Sequence, residues 1–270
     1  MCRNRRKLTQ PNIKKLIKEG RGQGERESYS PWITIHDLSS KGFKHRVRGN
    51  TVDRTHHLLS NNEWFYFLLL EFSPTVVDIR EQYPLLPIEE TIEIARDMRV
   101  QHPRDPKTKE LFVMTTDFLA TTCAGGYETH IPRTLKPGKD LQKKTVVIKL
   151  EIERRYWLRR EKELGIVTDT QLPQTLCKNL EMLHGYVRPE SLGDLPAGCV
   201  DKVRDYFNAS LIDGNQSVVE VTVSCDEVFG LPTGGSLAVF WHLLSSREWS
   251  VDLSKPLDSD KPLSELITGR

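Results

Sequence analysis

Two extended runs of this chain carry residue types that a hydrolytic centre needs. Phe112-Val113-Met114-Thr115-Thr116-Asp117-Phe118-Leu119-Ala120 is a largely apolar stretch with one acid, Asp117. Tyr127 to Lys136 is a second extended run, ending in Thr134-Leu135-Lys136-Pro137. Between them, Cys123-Ala124-Gly125-Gly126 reads as a turn. Adjacent strands joined in this way can set Asp117 and Lys136 side by side at one end of the pair. A carboxylate and an ammonium in that position suit a metal ion and an activated water. The plainer alternative is a surface ion pair on a sheet edge. Glu63 is a third candidate. Ser60-Asn61-Asn62-Glu63 opens a helix, and Ser60 with Glu63 matches a capping box. A cap contributes about 1 kcal/mol to helix stability, which gives Glu63 a structural reason to exist. The functional alternative is that Glu63 faces Asp117 and shares its metal.

The elements around these residues predict an α/β core. The helix from Ser60 to about Glu71 holds Trp64, Phe65, Phe67, Leu68, Leu69 and Leu70, so it is apolar on most sides and expected to be buried. Val76 to Leu85 starts as a strand and stops at Pro84. Glu89 to Met98 reads as a helix with Ile92 and Ala95 inward. Gly138 to Glu163 is the longest helical pattern. Leu141, Val146, Ile148, Ile152, Tyr156 and Trp157 lie on one face, and Lys149, Glu151, Arg155, Arg159 and Arg160 on the other. Gly165 stops it, and Ile166-Val167-Thr168 reads as a buried strand. Alternating strands and helices in this order give a mixed sheet flanked by helices.

Upstream, residues 12–19 form a short basic helix with Ile13, Leu16 and Ile17 on one face. Gly20-Arg21-Gly22-Gln23-Gly24 follows a helix rather than a strand, so it reads as a flexible connector and not a dinucleotide fingerprint. Trp32-Ile33-Thr34-Ile35 reads as a strand, and Lys44–Arg48 with Thr55–Leu59 as a basic hairpin turning at Gly49-Asn50. Adjacent His56 and His57 on a strand point to opposite faces, so they do not share a metal. Asp78, Arg80 and Glu81 read as an ion-pair network.

The composition changes after Asp169. Helices are expected from Leu172-Pro173 onward, over Val200 to Leu211, and over Leu237 to Leu244. Val219, Val221 and Val223 alternate like a strand, as do Trp249, Val251 and Leu253, and the polar tail from Ser254 reads as loose. Helices with short strands resemble a winged-helix module. The expected organisation is therefore a catalytic domain over 1–169 with a basic arm, and a winged-helix-like, partner-binding domain over 170–270.

Composition narrows the function class. The net charge is +2, but the first residues are strongly basic, with Arg3, Arg5, Arg6, Lys7, Lys14, Lys15 and Lys18 among them. Such an arm points to a polyanion. Five cysteines lie far apart with no CxxC pair, which indicates neither a zinc site nor a disulfide framework and fits a reducing cytosol. No stretch is apolar enough for a signal peptide or a membrane span.

The order Glu63, Asp117, Thr134-Leu135-Lys136 resembles the restriction-endonuclease fold, whose site is an acid on a helix, an acid on a strand, then Glu/Gln-X-Lys. Further stretches resemble the TnsA-type transposon-end endonuclease family. They are Lys18-Glu19-Gly20-Arg21-Gly22-Gln23-Gly24, Pro31-Trp32, His56-His57-Leu58-Leu59-Ser60, Asp78-Ile79-Arg80-Glu81-Gln82-Tyr83-Pro84-Leu85, Thr116-Asp117-Phe118, Lys136-Pro137 and Leu150-Glu151-Ile152-Glu153-Arg154-Arg155-Tyr156-Trp157. The resemblance is strong from residue 13 to 169; beyond that it rests on the order of elements.

The resemblance implies a Mg²⁺-dependent DNA endonuclease, with Mn²⁺ able to substitute. It would cut the non-transferred strand at transposon ends, in the bacterial cytoplasm at the nucleoid. Its implied partners are double-stranded DNA at the transposon ends, a DDE-class transposase (TnsB) and an AAA+ regulator (TnsC) that meets the C-terminal module. By motif, Glu63 and Asp117 would be metal ligands with the Leu135 backbone carbonyl. Lys136 would orient or polarise the attacking water, and Glu153 would support the site. One position departs from the pattern. Thr134 stands where the family has Glu or Gln, and a neutral hydroxyl is a poorer Mg²⁺ ligand than a carboxylate. The competing expectation is a catalytically weak scaffold that bridges transposase and regulator on DNA.

Overall fold

The computed structural model describes residues 10–37, 43–105, 109–213 and 215–269. The basic residues Arg3 to Lys7 lie outside these. The chain divides into two compact units at Leu172/Pro173.

The first unit opens with helix α1 (Gln10–Lys18), which buries Ile13 and Leu16. The glycine run after it is a defined turn rather than a loose connector. Gly22 sits at φ +70°, donates to the Ser30 carbonyl at 2.6 Å, and packs so close to Pro84 that a Cβ there would meet Pro84 Cγ at 2.2 Å. Trp32 to Ile35 is not the expected strand. Asp37 accepts from both the backbone and hydroxyl of Thr34 at 2.8 Å and from Arg21 at 2.6 Å. A carboxylate that takes nearby backbone donors in this way competes with a sheet ladder. Trp32 is nevertheless fully buried.

A two-stranded ribbon follows, β1 (His45–Arg48) antiparallel to β2 (Thr55–Leu58). Its turn is longer than expected and runs to Arg54, whose carbonyl accepts from Gly49 N–H at 2.9 Å. Beneath it lies a buried ion network. Glu81 is fully buried and accepts from Arg54 at 2.5 and 2.9 Å, from His56 Nδ1 at 2.9 Å, and from the His57 backbone at 3.0 Å. Burial pushes the Glu81 carboxyl up, but His56 and Arg54 outweigh it and hold it well below the usual range. His56 is thus a buried structural histidine, held through Nδ1.

Helix α2 (Asn61–Glu71) carries Trp64, Phe67 and Leu68 inward. The central sheet then forms in the order β3 (Val76–Pro84), β4 (Thr115–Ala124), β5 (Tyr127–Lys136), β6 (Gly165–Thr168). The first three strands are antiparallel and β6 is parallel to β5, so the sheet is mixed as expected. Two helices cover one core: α3 (Ile88–Asp97) supplies Ile94 and Ala95, and α4 (Lys144–Leu158) supplies Ile152, Tyr156 and Trp157 against Leu119. Helix α4 begins later than its periodic pattern, because Gly138–Gln142 forms a separate 3-10 turn. Strand β6 is not buried as expected, since Ile166 is 41% exposed at the sheet edge.

The second unit is mostly helical: α5 (Gln174–His184), α6 (Cys199–Asp213), α7 (Val218–Phe229) and α8 (Gly235–Ser245). The expected strand at Val219–Val223 is part of α7. Ser217 accepts from Glu220 N–H at 3.2 Å while Glu220 reaches back to Ser217 N–H at 2.8 Å, a complete capping box. Nor is the tail loose. Strand β7 (Ser250–Val251) pairs antiparallel with β8 (Ile267–Gly269), just after a helical turn, α9 (Leu263–Leu266), that buries Leu263 and Leu266. Asn179 secures this segment by donating to the carbonyls of Leu253 and Lys255.

Candidate active site

Strands β4 and β5 bring Asp117 and Lys136 together, and each part of the site follows from a local feature. The last regular β4–β5 pair at this end is Phe118–Arg133. Past it, Asp117 reaches across to β5 with one oxygen. Its Oδ2 accepts from Thr134 Oγ1 at 2.9 Å, Leu135 N–H at 2.7 Å and Lys136 Nζ at 2.8 Å. None of these described bonds uses Oδ1. Lys136 Nζ also donates to Leu135 O at 2.8 Å and Thr134 Oγ1 at 3.1 Å. The ammonium therefore sits in a nest of three hard oxygens: a carboxylate, a carbonyl and a hydroxyl. Burial pulls the lysine pKa down, but Asp117, Glu153 and Glu63 outweigh it, so Lys136 stays charged.

Glu63 arrives at the N-terminus of α2. Ser60 accepts from Glu63 N–H at 3.2 Å, as the sequence predicts. The carboxylate half of the box differs, since Glu63 Oε2 accepts from Leu59 N–H at 2.9 Å and Oε1 from Ser60 Oγ at 3.1 Å. The capping role and proximity to Asp117 are thus compatible. Burial, then the Asp117 charge, push Glu63 up to about 7.

Glu153 projects from α4 and is 3% exposed. Burial and Asp117 push it up to about 8, against Lys136 and a hydrogen bond with Thr116. Among the described residues, its Oε1 has no hydrogen-bond partner. Thr116 is itself held by Trp157 Nε1, which donates to its hydroxyl at 2.7 Å. Asp117 and Lys136 therefore act electrostatically on both Glu63 and Glu153.

The donor set suits a hard divalent cation, which takes carboxylate and carbonyl oxygens. An orphaned buried carboxylate oxygen on Glu153 and an ammonium lodged among oxygens both indicate a place for positive charge. Three acidic, histidine or cysteine side chains do not by themselves close around a metal position among the described residues. Thr134 explains part of this: it is fully buried and spends its hydroxyl on Asp117 and Lys136. Its role is to orient, where a carboxylate would ligate.

Sequence reasoning missed Gln82, whose Nε2 donates to Glu63 Oε2 at 3.3 Å and whose Oε1 accepts from Thr115 Oγ1 at 3.1 Å. It also missed Leu59 and Thr116. A backbone donor and a lone threonine leave no pattern to find. Of the expected Asp78, Arg80 and Glu81 network, Asp78 and Arg80 pair at 3.2 Å, while Glu81 pairs with Arg54 and His56 instead. No described helix is long and apolar enough to cross a membrane.

Comparison with known proteins places the chain in a family. The family model described as TnsA-like endonuclease N terminal matches residues 73–169, and that described as TnsA endonuclease C terminal matches residues 171–253. The Escherichia coli transposon Tn7 transposition protein TnsA is 34% identical over 261 residues, covering 97% of this chain and 93% of the relative.

Proposed function

The chain belongs to the TnsA endonuclease family, and from that premise we propose that it cuts the non-transferred strand at transposon ends in a divalent-metal-dependent reaction. The observation that carries this reading is the convergence of Asp117, Lys136 and Leu135 O within 2.8 Å contacts, next to the buried acids Glu63 and Glu153. Glu63, Asp117 and the Leu135 carbonyl would hold Mg²⁺, with Mn²⁺ substituting. Such an ion, when bound, lowers the pKa of a water and offsets charge on the cleaved phosphodiester.

The protein's own groups do the rest. Glu63 and Asp117 repel one another; two carboxylates about 4 Å apart do so by roughly 4 kcal/mol at an effective dielectric of 20. The site therefore favours a cation or a proton. Lys136 stays protonated, so it acts as a point charge and donor toward a water or a phosphate oxygen rather than as a base. Thr134 and Leu135 N–H fix Asp117 Oδ2 and leave Oδ1 available. Glu153 holds a proton when no cation is near and gives it up when one is.

The proposed substrate is double-stranded DNA at transposon ends. A DDE-class transposase (TnsB) would cut and join the other strand. The second unit, which we assign a winged-helix-like, partner-binding role, would meet the AAA+ regulator (TnsC). Membership of this family, and likeness to a Tn7 transposition protein, support these assignments. Asp117→Ala tests them genetically. Loss of this cut should convert simple insertions into cointegrates; unchanged products would sink the catalytic claim.

One observation favours a second reading. Thr134 in place of a carboxylate or amide leaves the site short of a ligand, as in a DNA-binding scaffold whose centre has decayed. That reading predicts that the protein binds no divalent cation, even with end DNA present.

A further inference from the structure

Gln82 has no part in the chemistry above, yet its placement is unusual. It lies in β3 between the Glu81–Phe118 and Tyr83–Thr116 pairs, at the register position opposite Asp117. Its φ is +49°, a left-handed conformation that residues other than glycine rarely adopt and that is foreign to a strand. It is 2% exposed. The surroundings hold the kink in place. Glu81 O accepts from Tyr29 Oη at 3.0 Å and Gln82 O from Trp32 N–H at 3.3 Å, so the segment before the ribbon grips both carbonyls. Conformations of this kind persist only where neighbours over-determine them, and they cluster at functional sites.

The side chain explains what the kink achieves. Among the described residues, the other hydrogen-bond partners of the Glu63 carboxylate, Leu59 N–H and Ser60 Oγ, belong to its own capping segment. Gln82 Nε2 is the partner that ties Glu63 to the sheet carrying Asp117. The Gln82 carbonyl oxygen is in turn held by Thr115, two residues before Asp117 on β4. The chain Glu63–Gln82–Thr115 thus spans from the helix acid to the strand of the second acid. A lysine or arginine here would neutralise Glu63. A neutral amide donates to it and leaves its charge for a cation.

We propose that Gln82 is a positioning residue that fixes the Glu63 carboxylate relative to Asp117 and so sets the site's affinity for a divalent cation. This rests on the metal-dependent reading above. Groups that orient metal ligands from behind typically change affinity 10–100-fold when removed.

The test is calorimetric titration of Mn²⁺ into the full chain, comparing wild type, Gln82→Met and Thr115→Val, each checked for folding by thermal melting. Gln82→Met should weaken Mn²⁺ about tenfold or more. Thr115→Val, which keeps the Gln82–Glu63 bond but frees the far end of the amide, should weaken Mn²⁺ by less than Gln82→Met. End nicking by Gln82→Met should recover at saturating Mn²⁺. Should Gln82→Met fail to fold, Gln82→Asn keeps an amide too short to reach Glu63 and should show the same loss. Affinity unchanged in the folded Gln82 variant overturns the proposal. So does an equal loss in Thr115→Val, which marks general packing, or a rate that saturating Mn²⁺ does not restore. A wild type that binds no Mn²⁺, even with end DNA present, refutes the metal reading itself, and this role falls with it.

Discussion

Replacing Lys136 by methionine should tighten metal binding while abolishing cleavage. The ammonium lies 2.8 Å from Asp117 Oδ2, 2.8 Å from Leu135 O and 3.1 Å from Thr134 Oγ1. One of these oxygens, Leu135 O, is itself a proposed metal ligand. A cation that takes it must displace the lysine from it, and a hydrogen bond to a charged group contributes about 1.5–3 kcal/mol net. Methionine keeps the length of the side chain and removes both the bond and the charge. With roughly 1.4 kcal/mol for each tenfold change, Lys136→Met should bind Mn²⁺ about 10- to 100-fold more tightly than wild type. The assay is calorimetric titration of metal into DNA-free protein, run beside a strand-cleavage assay with transposase and end DNA. Affinity and activity should move in opposite directions. Unchanged or weaker Mn²⁺ binding by Lys136→Met would refute the idea that lysine and metal compete for one nest.

Three other outcomes follow from the same contacts. Glu63 and Glu153 have pKa values raised from an ordinary 4.5 to about 7 and about 8, so the folded state binds more protons than the unfolded one. Their contribution to stability is full below pH 4.5 and is lost as pH rises to about 8, so the metal-free melting temperature should fall across that window. Added Mn²⁺ and Glu153→Gln should each reduce the fall; a flat metal-free profile contradicts the assignment. Glu81→Ala leaves Arg54 buried without its carboxylate and should cost about 3–5 kcal/mol in denaturant unfolding; a cost under about 1 kcal/mol would show the network to be dispensable. Gly22→Ala drives a methyl into Pro84 at a positive φ and should cost about 1–3 kcal/mol, with a neutral effect counting against the packed turn.

The parts of this site that were legible in the sequence are the local ones. Ser60 and Glu63 are three residues apart, so their helix start is written in a single turn. Asp117 and Lys136 sit on consecutive strands, so one hairpin brings them together. Glu153 came from family resemblance, since only tertiary packing of α4 carries it to Asp117. Gln82 was illegible because nothing in its type signals a positive φ; the kink is imposed by Tyr29 and Trp32 from far along the chain. The errors have equally specific causes. Val219, Val221 and Val223 fit both a strand and a helix, and the decisive Ser217–Glu220 box preceding them was in the sequence. Thr34 looked like a strand residue, but Asp37 captures its donors. The polar tail reads as loose, yet buried Leu263 and Leu266 anchor it.

The measurement closest to the central claim is titration of Mn²⁺ and Mg²⁺ into the purified protein beside Asp117→Ala, without and then with end DNA. The account predicts binding by the wild type that disappears in the variant. Wild-type protein that binds neither ion, even with end DNA present, would contradict it and leave the scaffold reading standing.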